Sequence, residues 1–328
     1  MRSRRVEDWC AAVRAGDRRA VAKAITLLES TRPDDAALGQ AVLEALVPET
    51  GRAVRVGVTG PPGVGKSTLI EALGLHLLER GERVAVLAVD PSSPVSGGSI
   101  LGDKTRMERL AQADAAFIRP SPSGGFLGGV AHRTREAMLV CEAAGYGVVI
   151  VETVGVGQSE IGVRSMVDFF GVLLQPGAGD ALQGMKRGVL ELADALVVTK
   201  ADGDQRALAE RTRREHAQAL ELFRPTSAAW RPRVVAVSAA SGEGVAQLWD
   251  LILEHHRALE AAGELAARRR HQARDWMWSL VQEGLERDFR AHPEVARRIP
   301  GLEADVESRR ATPAAAARAL LEAFEKGR

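Results

Sequence analysis

The clearest chemistry in this chain sits in Gly60-Pro61-Pro62-Gly63-Val64-Gly65-Lys66-Ser67-Thr68, which fits G-x-x-x-x-G-K-[ST]. Glycines in such a loop let successive backbone N–H groups turn inward around phosphate oxygens, and the N-terminus of a following helix adds partial positive charge. Lys66 is spaced to reach the β- and γ-phosphates of a nucleotide, and the Ser67 hydroxyl to bind Mg²⁺. The motif carries weight only between a strand and a helix. Val54, Val56 and Val58 alternate with Arg55 and Gly57 before Thr59, and Leu69, Ile70, Leu73, Leu77 and Leu78 recur at helical spacing after the loop. A strand, the loop and a helix are therefore predicted in that order.

Other carboxylates end strand-like runs. The run 84–89 leads into Asp90-Pro91-Ser92-Ser93-Pro94 and then Gly97-Gly98-Ser99; Asp90 is placed to hold Mg²⁺ directly or through water, or to close a proline-shaped turn. Gly102-Asp103-Lys104-Thr105-Arg106-Met107 offers a second carboxylate, Asp103, and two cations on a segment that reads as a switch or as a charged helix start. The apolar run ending in Glu152-Thr153-Val154-Gly155 puts a carboxylate where D-x-x-G usually has Asp. Glu152 would stand behind the metal or orient water, and the Gly155 N–H would reach the γ-phosphate. Gln158 either positions water or is a surface glutamine.

The base is read further on. Ala195-Leu196-Val197-Val198-Thr199-Lys200-Ala201-Asp202 resembles N-K-x-D with Thr in the Asn position. A carboxylate at Asp202 accepts from both N1–H and the 2-amino group of guanine, at about 1.5–3 kcal/mol per charged hydrogen bond. Adenine presents neither donor there, so GTP is favoured over ATP. The aliphatic stem of Lys200 would cover the base. Thr199 removes an amide that usually ties this loop to its neighbours. In Ser238-Ala239-Ala240 a backbone N–H would meet guanine O6.

These residues need a scaffold that brings strand ends together. Runs at 54–59, 84–89, 116–119, 147–152, 169–174, 195–199 and 233–238 alternate with helical segments, the pattern of a mainly parallel sheet with helices on both faces and ligands at the carboxyl ends of the strands. Before residue 50, Val21, Ile25 and Leu28 share one helical face, and after Pro33 an Asp34 cap would start a helix grouping Leu38, Val42 and Leu46; these read as a packing cap. Beyond Gly244 the pattern is helical, with Val245, Leu248, Trp249 and Ile252 in one stripe and Thr312-Pro313 opening a last helix that Gly327 ends. Trp276 and Trp278 fall about 200° apart on a helix, above Leu280, Val281, Leu285 and Phe289. A helix apolar on two sides is covered either twice, by its own domain and a second subunit, or by internal burial alone. The expected organisation is an N-terminal helical segment (1–50), a phosphate-binding-loop domain (51–262) and a C-terminal helical dimerisation arm (263–328).

Composition bounds the function class. The 328 residues are 45% hydrophobic and 27% charged, as in a globular protein with an adequate core. A net charge of +1 argues against a global nucleic-acid or anionic-membrane footprint. Cys10 and Cys141 form no C-x-x-C and read as packed thiols. Arg2, Arg4 and Arg5 are followed by Glu7 and Asp8 rather than an apolar stretch, and no apolar run approaches the ~20 residues of a membrane span. A cytoplasmic or organelle-matrix protein is expected.

Taken together, GPPGVGKSTLIEAL, VLAVDPSSP, GDKTRM, ETVGVGQSE, QPGAGDALQGMKRG, TKADGD, VSAASGEGV and WMWSL resemble the methylmalonyl-CoA mutase-associated GTPases of the MeaB/ArgK type, over nearly the whole chain. The resemblance implies a homodimeric GTPase chaperone that binds GTP, GDP and Mg²⁺ and gates adenosylcobalamin loading into an acyl-CoA mutase while protecting it. It implies Lys66 and Ser67 in the phosphate and Mg²⁺ roles, Asp90, Asp103 and Glu152 as metal-site carboxylates, and Lys200 and Asp202 at the base. Gln175 to Gly188, with Asp180 and Lys186, matches a segment such proteins use to communicate with the mutase, although Gln175 stands where an acidic residue is common. Whether Lys104, Arg106, Gln158 or Lys186 accelerates hydrolysis is left open. A nickel-enzyme metallochaperone would need Cys or His clusters that Pro91 to Ser99 lacks. A small-molecule kinase would need an acceptor site and a base, and Asp202 disfavours its usual ATP.

Overall fold

The computed structural model describes residues 5–89, 107–120, 127–153, 159–177, 187–221 and 227–326, and all structural statements concern these. The chain forms two units, Met1–Gln272 and Ala273–Arg328. The first is built on seven strands, all paired in parallel: β1 (Val54–Thr59), β2 (Val84–Val89), β3 (Ala116–Arg119), β4 (Val148–Thr153), β5 (Phe169–Leu174), β6 (Ala195–Val198) and β7 (Arg233–Ala236). Their order is β3-β2-β4-β1-β5-β6-β7, which places β1 between β4 and β5. Every residue of β2, β4 and β5 is buried, as a parallel sheet covered on both faces requires.

Alternation along the strands splits the core in two. Val56, Val58, Val84, Val86, Ile150, Leu173 and Val197 face α4 (Lys66–Glu79), α5 (Glu108–Gln112) and α10 (Val245–Ala261). Ala85, Leu87, Val149, Val151, Val172, Leu196 and Val198 lie in the opposite cluster. That face also holds α6 (Leu127–Ala143), α7 (Ser159–Arg164), α8 (Arg187–Glu191) and α9 (Arg206–Glu221). Against α6 lie α1 (Val6–Arg14), α2 (Arg18–Glu29) and α3 (Pro33–Leu46), with Val21, Ile25, Leu28, Val42 and Leu46 buried in the same cluster. The first turns of α11 (Glu264–Ala291) bury Leu265 in the α4 and α10 layer.

The strands fall within two residues of the predicted runs, β6 and β7 ending at Val198 and Ala236, and the two chains stay bonded just beyond them, Val237 N–H donating to Val198 O and Val237 O accepting from Ala201 N–H. Asp34 is not the cap of α3. Pro33 is already helical there, with Asp34 and Asp35 in the first turn beside the positive end of the helix dipole. The side-chain cap in this region is Asp17, which accepts from Arg19 N at 2.8 Å and Ala20 N at 3.3 Å. Thr312 does cap α13 (Pro313–Lys326), accepting from Ala315 N at 3.2 Å.

In the second unit, α12 (Pro293–Glu307) and α13 pack together, and Phe324 meets Phe289 and His292 with ring centroids 5.2 and 5.3 Å apart. Val295 and Ala323 are buried, whereas Met277, Trp278, Leu280, Val281, Leu285 and Leu321 are exposed, Trp278 by 57%. No helix among the described residues is long and apolar enough to cross a membrane.

Packing against the central strand is close at Gly57. A Cβ there would lie 2.9 Å from Phe170 Cδ2, Val163 Cγ1 and Val167 Cγ2 at once. Gly57→Ala is expected to destabilise the protein by about 1–3 kcal/mol through overpacking. Gly171→Ala on the neighbouring strand, where the nearest atom is 3.5 Å from the added carbon, is expected to be tolerated. Urea unfolding midpoints at unchanged m-value test the contrast.

Candidate functional site

The carboxyl ends of β1, β4, β5, β6 and β7 converge on the loop after β1. Its backbone is shaped by glycine: Gly65, the N-cap of α4, has φ +100°, and a Cβ on Gly60 would lie 2.9 Å from Leu173 Cβ and O. A side chain at either position would strain the turn or press on β5. Lys66 is 9% exposed and lies folded over its own loop, donating from Nζ to Gly60 O at 2.8 Å and Pro61 O at 3.2 Å. The Ser67 hydroxyl donates to Glu152 Oε1 at 3.1 Å. Thr59 and Thr153, the last residues of β1 and β4, pair through their hydroxyls at 2.7 Å. That pairing was readable only as a threonine ending each of two strands, and sequence reasoning missed it.

The base motif is tied directly to this loop. Thr199 Oγ1 lies 2.7 Å from Val64 O and 3.1 Å from Leu174 O, and the Thr199 N–H donates to Leu174 O at 2.9 Å. The tie expected to be lost with the missing amide is therefore made by a hydroxyl. Lys200, with φ +55°, donates from Nζ to Gly63 O at 2.9 Å. Asp202 is half-buried and accepts from the Ser238 hydroxyl, while Ser238 Oγ accepts from Ser241 N at 3.1 Å and Ser238 N–H donates to Glu243 O at 2.8 Å. Ser238 thus aims the carboxylate through its side chain, a role that reading it only for a backbone N–H overlooked. Ala239 and Ala240 follow, half-buried and exposed, in the same turn.

The structure thus brings together Gly60 through Thr68, Glu152, Thr199, Lys200, Asp202 and Ser238. Asp90, Asp103, Lys104, Arg106, Gly155, Gln158, Asp180 and Lys186 lie outside the described residues. Among the described residues no group of three or more His, Cys, Asp or Glu side chains could hold a metal. The donors that do meet, a hydroxyl and a carboxylate, are hard oxygens suited to Mg²⁺ completed by phosphate and water rather than to a transition metal. Cys10 and Cys141 are buried in α1 and α6, and burial pushes both thiols above their ordinary range, Cys141 the further. A cavity of about 600 Å³ borders Ala201 and Ser238 from the α9 and β7 side, and its lining includes no residue of the phosphate loop.

Comparison with known sequences and structures gives a consistent answer. The sequence family described as "Methylmalonyl Co-A mutase-associated GTPase MeaB" matches residues 21–294. The chain is 48% identical over 320 residues to the mouse protein named "Methylmalonic aciduria type A homolog, mitochondrial", covering 94% of this chain and 77% of the relative. It is 51% identical over 271 residues to the Escherichia coli protein named "GTPase ArgK", covering 83% and 82%. A crystal structure titled "LAO/AO transport system kinase" superposes with a TM-score of 0.78 at 38% identity, covering 98% of this chain and 97% of the other.

The hydroxyl tie is testable on its own. Thr199→Val keeps the shape and removes the donor, leaving the buried Val64 carbonyl without it, at a cost of about 1–2 kcal/mol. Guanine-nucleotide affinity measured by calorimetry is expected to fall about tenfold, and Thr199→Ser to restore most of it.

Proposed function

Because the chain belongs to the methylmalonyl-CoA mutase-associated GTPase family, we propose that its hydrolysis of GTP times the loading of adenosylcobalamin into an acyl-CoA mutase of the methylmalonyl-CoA type and protects that mutase. Supporting this reading is one observation above the rest: phosphate loop, Glu152 and base motif meet at the strand ends in a chain whose family match runs from residue 21 to 294.

In the mechanism proposed, Lys66 exchanges the carbonyls of Gly60 and Pro61 for β- and γ-phosphate oxygens, where its charge stabilises the transition state. Inward N–H groups of Gly63 to Thr68 hold the phosphates. Ser67 and Glu152, now bonded to each other, are the described residues that would hold Mg²⁺, with Asp90 and Asp103 proposed beside them; the ion supplies charge neutralisation at the phosphates. Glu152 and Gly155 orient water and γ-phosphate. Lys200 covers the base, and Asp202, aimed by Ser238, accepts from N1–H and the 2-amino group, with Ala239 and Ala240 near O6. Intrinsic turnover is slow until the mutase orders the segments around the γ-phosphate.

The exposed row of Met277, Trp278, Val281 and Leu285 on α11 supports a homodimer in which a second copy covers it. A cytoplasmic or organelle-matrix location fits this role.

Replacing the Asp202 acceptor with a donor suits a ring carbonyl, so Asp202→Asn is expected to shift preference from GTP to XTP by at least tenfold; unchanged GTP selectivity would remove Asp202 from the base. Lys66→Ala is expected to lower turnover more than a hundredfold. Phosphate release with and without purified adenosylcobalamin-dependent acyl-CoA mutases, one at a time, identifies the partner as the one that raises the rate. If none does, the chaperone reading fails while the GTPase stands.

A further inference from the structure

The sheet parts beside the phosphate loop. Among the described residues the register of β1 with β4 runs from Val54 opposite Val148 to Val58 opposite Glu152 and ends there. One residue further on, Thr59 is still paired with Val172 of β5 and Thr153 with Val89 of β2. Each strand thus stays with its other neighbour while the two leave each other. The parting opens where Gly60 begins the loop and Glu152 meets Ser67. A side-chain bond spans it, Thr59 Oγ1 to Thr153 Oγ1 at 2.7 Å.

That bond lies on an apolar face. Side chains alternate along a strand, so Thr59 shares a face with Gly57 and Thr153 with Val151. Val151 is buried in the cluster that holds α6 and α7, and Gly57 packs on Phe170, Val163 and Val167 of the same cluster. Thr59 is 1% exposed and Thr153 0%. Replacing both members of a buried hydrogen-bonded pair by apolar groups of the same shape is close to neutral for stability, so two valines would fill this space as well. What the hydroxyls add is a fixed separation, since an O–H···O bond keeps its oxygens near about 2.7–2.8 Å where methyl groups only touch.

Loop and strand need a fixed separation here. On the other face of the sheet Glu152 Oε1 accepts from the Ser67 hydroxyl at 3.1 Å. On the β5 side, Gly60 sits so close to Leu173 that a Cβ would lie 2.9 Å from its carbonyl oxygen. The start of the loop is therefore held to β5 by packing and to β4 by the threonine pair.

We infer that Thr59 and Thr153 are positioning residues for the metal: their bond sets the distance between Glu152 and the phosphate loop, and with it the geometry offered to Mg²⁺. The inference rests on the proposed reading that Ser67 and Glu152 hold the ion. Mg²⁺ demands near-octahedral ligands at about 2.0–2.1 Å, so a slightly wider parting weakens its site before it weakens the grip of backbone N–H groups on phosphate. In that reading Ser67 and Glu152 exchange their mutual bond for the metal, whereas the threonine bond involves neither ligand and persists.

Thr59→Val, Thr153→Val and the double variant test it, by thermal midpoints and by calorimetry of a non-hydrolysable GTP analogue in EDTA and across a Mg²⁺ series. Each single variant leaves one buried hydroxyl without its partner and is expected to melt lower; the double variant strands neither and is expected to recover most of the loss. The Mg²⁺ concentration giving half of the metal-dependent gain in affinity is expected to rise at least about fivefold in all three, the recovered double included, while affinity in EDTA stays within about twofold. Thr153→Ser, which keeps the hydroxyl, is expected to follow the wild-type curve. Glu152→Gln, measured alongside, separates the inference from the reading beneath it. A shifted Mg²⁺ curve in Glu152→Gln beside a wild-type curve in the double variant marks the threonine pair as purely structural and overturns the inference alone. A wild-type curve in Glu152→Gln overturns the metal reading and the inference together.

Discussion

A loop that turns its N–H groups inward to grip phosphate must turn its carbonyls outward, and those carbonyls need donors of their own. In this protein the donors come from the residues that the chemistry also requires. Lys66 takes Gly60 O and Pro61 O, Lys200 takes Gly63 O, and Thr199 takes Val64 O. Two ammonium groups and one hydroxyl thus satisfy the carbonyls of this loop. Each of these carbonyls therefore has its donor within the protein, and under the proposed mechanism ligand binding exchanges hydrogen bonds instead of creating them.

The sheet divides the labour of the site. Its carboxyl ends carry short polar contacts that can change partner, such as Ser67 to Glu152 and Ser238 to Asp202. Its amino ends carry buried ion pairs that cannot be given up cheaply: Arg55 with Glu142 at 2.6 Å, Arg164 with Asp194 at 3.2 Å, and Arg269 with Asp168. Removing one partner of such a pair strands a charge out of water. In Asp194 burial pushes the carboxyl upward, yet the His255 ring nitrogen 3.4 Å away and the charges of Arg164 and Arg268 outweigh it and hold the group below its ordinary range. Rigid roots and exchangeable tips are what a strand-end nucleotide site needs.

Much of this was legible from residue order. The strands showed because a parallel sheet buried on both faces needs unbroken apolar runs, and the phosphate and base motifs showed because backbone geometry and purine chemistry restrict the residues that serve. What stayed hidden was long-range. Nothing local marks Thr199 as the donor to Val64, 135 positions earlier, or Ser238 as the residue that aims Asp202. Nothing local pairs Asp168 with Arg269, since each is an ordinary charged residue until folding buries the one beneath the other. Asp34 misled because a cap and a first-turn acid look alike in sequence, and Pro33, fixed at a helical φ, decided between them.

Thr199 also explains how one side chain links the two halves of recognition. An asparagine in that position offers two donors and an acceptor, so it can hold the base loop and the phosphate loop with separate atoms. Threonine offers one proton, and that proton has Val64 O at 2.7 Å and Leu174 O at 3.1 Å to choose between. The shorter contact is to the phosphate loop. Leu174 O on β5 stands within reach of the same hydroxyl as a second acceptor. Thr199 directly precedes Lys200 and stands three residues before Asp202, so its bond to Val64 O ties the loop carrying that carboxylate to the loop after β1. Under the proposed function, reading of the purine and grip on the triphosphate are in that sense linked through one hydroxyl.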